Sequence, residues 1–125
     1  MKLSVVITTR NEEENIANCI RSFDGCRDDV EIIVVDNAST DKTQEIATKL
    51  GARVLEKGPE RCAQRNLGWQ SAMSDWVVIL DADMVLPPQT IDEMLQIASL
   101  KSPSSSAILT YYVPEVRTGS GLRTK

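Results

Sequence analysis

Three short apolar runs, Leu3 to Thr8 (LSVVIT), Glu31 to Val35 (EIIVV) and Trp76 to Leu80 (WVVIL), recur along this chain. They are rich in β-branched residues, and in the last the apolar run is unbroken until Asp81. This is the pattern of strands buried on both faces of a parallel sheet. The segments between them carry a helical period. From about Glu12 to Phe23, Ile16, Ile20 and Phe23 recur at i, i+4 and i+7, and Asp24-Gly25 closes that helix. Ser39-Thr40-Asp41 caps a second helix running to about Leu50, where Gly51 ends it. Ala52 to Leu55 is a short third strand. Pro59 opens a helix from Glu60 to about Met73, and a last helix runs from Pro88 to Leu100 with Ile91, Met94, Leu95 and Ala98 on one face. Ala107 to Val113 (AILTYYV) reads as a fifth strand. Strand–helix alternation of this kind predicts an α/β domain in three layers, α/β/α, with a mostly parallel sheet and right-handed crossovers.

The whole chain of 125 residues is one domain in size. Residues 1–113 are expected to form the folded unit and residues 114–125, rich in Gly, Ser and Thr, a flexible tail. A net charge of −4 with no Lys/Arg cluster argues against a nucleic-acid surface. The start of the chain turns polar by Thr8, too soon for a secretory leader, and no apolar stretch approaches the roughly 20 residues of a membrane span. A cytoplasmic protein without a transmembrane segment is the expectation. There is no histidine, and Cys19, Cys26 and Cys62 form no Cys-x-x-Cys pair. Zinc chemistry and a Cys-His nucleophile are thereby set aside, leaving the thiols a structural role.

Chemistry concentrates where the strands end. Asp81 and Asp83 follow the Trp76 strand with one small residue between them, so they emerge at its carboxyl end, the edge where open α/β sheets bind ligands. Two hard oxygen donors on fixed backbone suit a Mg²⁺- or Mn²⁺-type ion that keeps waters and also grips a diphosphate. The plainer alternative makes Asp83 a cap for the helix after Pro87 and Pro88. The first strand-to-helix turn, Thr8-Thr9-Arg10-Asn11-Glu12-Glu13-Glu14, lacks glycine, so neither a dinucleotide fingerprint nor a phosphate loop is present. Its three glutamates would repel a phosphate, and its hydrogen-bonding groups suit a base or ribose better. Asp36, at the tip of the second strand, either accepts from a nucleoside or bonds neighbouring backbone amides. Arg61 and Arg65, four apart on one helix, reach toward the strand ends, and Gly68 permits a close approach.

Four ordered blocks, Thr8-Thr9-Arg10-Asn11-Glu12-Glu13, Val34-Val35-Asp36-Asn37-Ala38-Ser39-Thr40-Asp41, Ala63-Gln64-Arg65-Asn66-Leu67-Gly68 and Leu80-Asp81-Ala82-Asp83, resemble those of family 2 glycosyltransferases. The resemblance covers about residues 3 to 100. It implies the Rossmann-like GT-A fold, here truncated after the fifth strand, and a nucleotide-diphosphate-sugar donor, UDP- or GDP-linked. It further implies that Thr9, Arg10, Asn11, Glu12 and Asp36 hold the nucleoside, Arg65 lies near the nucleotide, Asp81 lies near the ribose and Asp83 binds Mg²⁺ or Mn²⁺. The family's usual Pro-Thr-Tyr-Asn is replaced by Thr8-Thr9-Arg10-Asn11, so a guanidinium stands where an aromatic stacks on the base. Arginine also stacks on planar groups.

The family fold continues well beyond this length, into acceptor-site strands and a catalytic Asp or Glu. No motif here matches that base, and Glu115 is the only carboxylate after Glu93. Two readings follow: a donor-binding half that transfers sugar to an unknown acceptor, or a truncated module that binds nucleotide or assembles without transferring. A nucleotidyltransferase fits less well because it needs a Gly-rich, basic first loop. The apolar, uncharged run Ala107 to Val113, with Tyr111 and Tyr112, has the character of an exposed edge and predicts a homodimer.

Overall fold

The computed structural model describes residues 2–100, 107–109, 116–117 and 121–122. Five strands, β1 (Leu3–Thr9), β2 (Val30–Asp36), β3 (Arg53–Glu56), β4 (Trp76–Asp81) and β5 (Ala107–Leu109), form one sheet in the order β3-β2-β1-β4-β5. Every pairing in it is parallel. The helices are α1 (Ile16–Arg21), α2 (Thr43–Lys49), α3 (Arg61–Ser71) and α4 (Pro88–Leu100). A 3₁₀ stretch at Asp24–Asp29 lies between α1 and β2. This is the expected α/β arrangement. Within the segment expected to be a flexible tail, β6 (Val116–Arg117) and β7 (Gly121–Leu122) pair antiparallel. Thr110 to Glu115, including Tyr111 and Tyr112, lie outside the described residues.

The β-branched runs explain the layering. All seven residues of β1 are buried, so the strand is covered on both faces. Leu3, Val5 and Ile7 join Ile32, Val34, Val78 and Leu80 in the larger core, which α1 closes with Ile16, Cys19 and Ile20 and α4 with Ile91 and Met94. Val6, Ile33, Val35 and Val77 point the other way, into a smaller core against α3 and its Leu67 and Trp69.

Two helices begin later than the sequence pattern predicts. Residues 12–15 form a turn, and helical geometry starts at Ile16 rather than Glu12. The second helix starts at Thr43, with Asp41 accepting from the Thr43 amide at 2.9 Å, while Ser39 and Thr40 bond to the first loop instead. Before α1, the amides of Asn11, Glu12 and Glu13 bond to Ser39, Thr43 and Asp41 of the opposite loop, whereas α2 is capped by Asp41 from its own loop.

Gly68 lets α3 lie close to the sheet. A Cβ added there would come within 2.3 Å of a Val6 methyl and 3.2 Å of a Val35 methyl. Gly68→Ala is therefore expected to cost about 1–3 kcal/mol through overpacking. Urea unfolding followed by Trp fluorescence, which reports on Trp69 in the same helix, should show the midpoint fall; an unchanged midpoint would mean that α3 is not seated so tightly.

Candidate functional site

Parallel strands bring their carboxyl ends to one edge, and register decides which side chains meet there. Thr8 sits opposite Asp81 of β4, and Thr9 opposite Asp36 of β2. Around this edge lies a cleft of about 200 Å³ lined by Thr8, Thr9, Arg10, Glu12, Asn37, Pro59, Arg61, Gln64 and Asp81 to Asp83. Pockets that enclose a drug-sized ligand run to roughly 300–1,000 Å³, so this cleft holds part of such a ligand and leaves the remainder to surfaces outside it.

The loops at the edge are tied together by side chains bonding to backbone. The amides of Asn11, Glu12 and Glu13 donate to Ser39 Oγ at 2.7 Å, Thr43 Oγ1 at 2.9 Å and Asp41 Oδ2 at 3.2 Å. In return Asn11 Oδ1 accepts from the Thr40 amide at 2.8 Å. Asn11 and Ala38 take positive φ, 52° and 48°, one in each loop. Such backbone costs about 1–3 kcal/mol per residue and persists where surrounding bonds hold it. Burial alone would raise the Asp41 carboxyl, but its bonds from the Thr43 hydroxyl and amide and the Glu13 amide outweigh that and hold it below the usual range.

The sequence candidates divide by position. Thr9, Arg10, Glu12, Asp81 and Asp83 all line the cleft. Asn11 is exposed beside it and holds the second loop. Asp36 is fully buried and bonded within its own surroundings: it accepts from the Ser39 amide at 2.8 Å, the Ser39 hydroxyl at 2.5 Å and the Gln44 amide group at 2.7 Å. Arg65 is exposed on α3 outside the cleft wall.

Arg61, which the spacing also brings toward the strand ends, and Gln64 line the cleft as well. Arg61, the first residue of α3, lies 3.8 Å from Asp81 Oδ2. Gln64 is buried and donates to the carbonyls of Thr9 at 3.2 Å and Val35 at 2.9 Å, pinning α3 across the ends of β1 and β2. Their sequence signal was the spacing from Pro59, which puts both on the first turn of a helix that starts at the ligand edge.

The fit of a divalent cation is testable on the donor set. The cleft holds two guanidiniums, Arg10 and Arg61, against three carboxylates, Glu12, Asp81 and Asp83. That lining has a cation deficit even before an anionic ligand arrives. Asp83 is exposed, and it supplies hard oxygen on a turn fixed by the Met84 amide bonding the Asp81 carbonyl at 3.0 Å. Among the described residues no group of three or more His, Cys, Asp or Glu converges on one point. Asp83, exposed on that turn, could supply one oxygen ligand to an ion that keeps its waters. One buried hydroxyl at the cleft, Thr9 Oγ1, has no partner among the described residues.

Below the acidic turn lies Cys19, whose Sγ approaches the Asp81 carbonyl at 3.9 Å. Burial first, then the carboxylates of Asp83, Asp81 and Glu12, push its thiol up to about 12. Cys62 is exposed, and Cys26, half-buried, is also raised, chiefly by burial. Because the folded Cys19 value lies above that of an unfolded thiol, its contribution to stability is complete below about pH 8.5 and is lost as pH rises toward 12. Iodoacetamide at pH 8 should accordingly label Cys62 first, Cys26 slowly and Cys19 only after denaturation, as read by peptide mass spectrometry. Early labelling of Cys19 would contradict the packing of α1 beneath the acidic turn.

Residues 4–123 match the family described as Glycosyl transferase family 2. Dolichol-phosphate mannosyltransferase of Pyrococcus furiosus is 34% identical over 121 residues, covering 90% of this chain and 34% of that protein. An uncharacterized glycosyltransferase of Rickettsia typhi is 42% identical over 94 residues, covering 74% and 32%. Among solved structures, glucosyl-3-phosphoglycerate synthase from Mycobacterium tuberculosis, in complex with Mn²⁺, UDP and glucosyl-3-phosphoglycerate, superposes with a TM-score of 0.65 at 31% identity, covering 72% of this chain and 37% of that one. S. aureus TarS 1-349 in complex with UDP gives 0.65 at 30% identity, covering 74% of this chain and 30% of that one. The chain thus spans about a third of the length of these relatives.

Proposed function

This chain belongs to glycosyl transferase family 2, and on that premise we propose that its cleft is the donor site for a nucleotide-diphosphate-sugar, held through a divalent cation at Asp83. The observation that carries the reading is the convergence of Asp81 and Asp83 with Thr9, Arg10 and Glu12 on one cleft at the carboxyl edge of the sheet. In this reading the orphaned Thr9 hydroxyl and the Arg10 guanidinium face the nucleoside, Arg10 stacking on the base. Asp81 lies toward the ribose. A direct nucleoside contact from Asp36 requires the Ser39 hydroxyl or the Gln44 amide to give way, since both now occupy its oxygens. Arg65 reaches the nucleotide only from outside the cleft wall. The UDP and Mn²⁺ of the solved relatives support a uridine donor and Mn²⁺ or Mg²⁺.

The chemistry such an ion supplies is charge compensation on the departing nucleoside diphosphate as the glycosidic C–O bond breaks. This chain's own contribution is positioning. The cross-bonded loops hold Arg10 and Glu12, and the acidic turn holds Asp83. Transfer also needs a base within hydrogen-bond reach of the acceptor hydroxyl, and we assign that base and the acceptor site to elements outside the donor cleft. Donor binding without transfer by these 125 residues alone is the form of activity proposed. A cytoplasmic setting and a homodimer paired through the β5 edge of the sheet complete the reading; no helix among the described residues is long and apolar enough to cross a membrane.

Calorimetry tests it. UDP should bind with Mn²⁺ present and weaken at least about tenfold when the metal is chelated, the scale of a lost contact to a charged group. Asp83→Ala should abolish that metal dependence. Equal affinity with and without Mn²⁺ would dismiss the acidic turn as a metal site.

A further inference from the structure

Both carboxylate oxygens of Asp81 face this chain's own groups. Oδ1 accepts from the Thr8 hydroxyl at 3.2 Å, and Oδ2 faces the Arg61 guanidinium at 3.8 Å. Asp83, two residues on, has no hydrogen bond or ion pair among the described residues to compete with a ligand. A cation at Asp81 Oδ2 therefore competes with Arg61 for the same carboxylate. The Arg61 side chain is 66% exposed and that of Asp81 33%, and their separation is near the limit of an ion pair. Exposed pairs of this kind contribute about 0–1 kcal/mol, so the contact is cheap to break. No acidic residue in the first turn of α3 holds Arg61 elsewhere, and Asp81 is its one carboxylate partner among the described residues.

We propose that Arg61 is an exchangeable counter-ion of the donor site, pairing with Asp81 when the cleft is empty and transferring to the diphosphate when the nucleotide arrives with its metal. The inference rests on the donor-site reading above and adds to it the residue that recognises the phosphates. A guanidinium is matched to phosphate oxygens through two parallel N–H···O bonds, which are shorter and stronger than its contact here with Asp81. The exchange also keeps each charge paired. The incoming cation replaces Arg61 beside the acidic turn, and Arg61 follows the negative charge to the phosphates. Arg65, one turn further along α3 and outside the cleft, is not placed to do this.

The exchange has a signature that a scaffold role lacks, because removing the charge acts with opposite sign on the two ligands. In Arg61→Gln, Mn²⁺ alone, followed by loss of the free-ion EPR signal, should bind about threefold more tightly, the scale of an exposed ion pair. UDP measured by calorimetry at saturating Mn²⁺ should bind about tenfold more weakly, the scale of a lost bond to a charged group. Arg61→Lys keeps the charge and loses the fork, so Mn²⁺ affinity should stay at the wild-type value while UDP weakens less than in the Gln variant. Parallel changes in both ligands, or no change in either, would overturn the proposal while leaving the donor site intact. A wild-type chain that takes up no UDP with Mn²⁺ would instead overturn the donor-site reading, and this proposal with it.

Discussion

Strand β1 is wedged between β2 and β4 with every residue buried, and its double register sets the rest of the molecule. Leu3, Val5 and Ile7 enter one core and Val6 the other, so a slip of one position would exchange the two faces and drive core residues into the wrong layer. Registration this strict fixes where the strand ends. Thr8 and Thr9 arrive together at the carboxyl edge, one beside Asp81 and the other beside Asp36. A hydrophobic constraint thereby positions polar groups that contribute little to folding themselves.

What register does for the strand ends, the cross-bonds do for the loops. A short connection with free amides would ordinarily be mobile. Here the amides of Asn11 to Glu13 are occupied by Ser39, Thr43 and Asp41, and Asn11 answers through Thr40. Each bond contributes about 0.5–1.5 kcal/mol, enough together to offset positive φ at Asn11 and Ala38. Gln64 adds a third support from α3. The cleft is thus bounded by backbone held on three sides, with the long side chains of Arg10 and Arg61 free to adjust within it.

The sheet could be read in the sequence because burial on two faces demands a composition that few other environments tolerate. The runs at β1, β2 and β4 and the acids ending them carried most of the fold and half of the cleft. The turn before α1 depends on a tertiary partner, since side chains of the opposite loop bond the amides of Asn11 to Glu13. The family resemblance points to Arg65, whereas the cleft takes Arg61. Four helical residues span about 6 Å along the axis, and that distance separates a side chain at the strand ends from one past them. Asp36 admits both a ligand and a structural role in the sequence; two of its bonds come from Ser39 three residues on, and only the third, from Gln44, depends on α2 packing over it. Pairing partners across a fold are not written in either partner's neighbourhood.

The bond from Thr8 to Asp81 joins residues 73 apart in the chain. Closing a flexible loop of that length carries a conformational cost of about 4 kcal/mol, and non-local parallel pairing is slow to form. The opposite walls of the cleft therefore meet only when β4 docks against β1, late in folding. A nascent chain released before that strand has emerged would carry Thr9, Arg10 and the whole of α2 without any place for them to act.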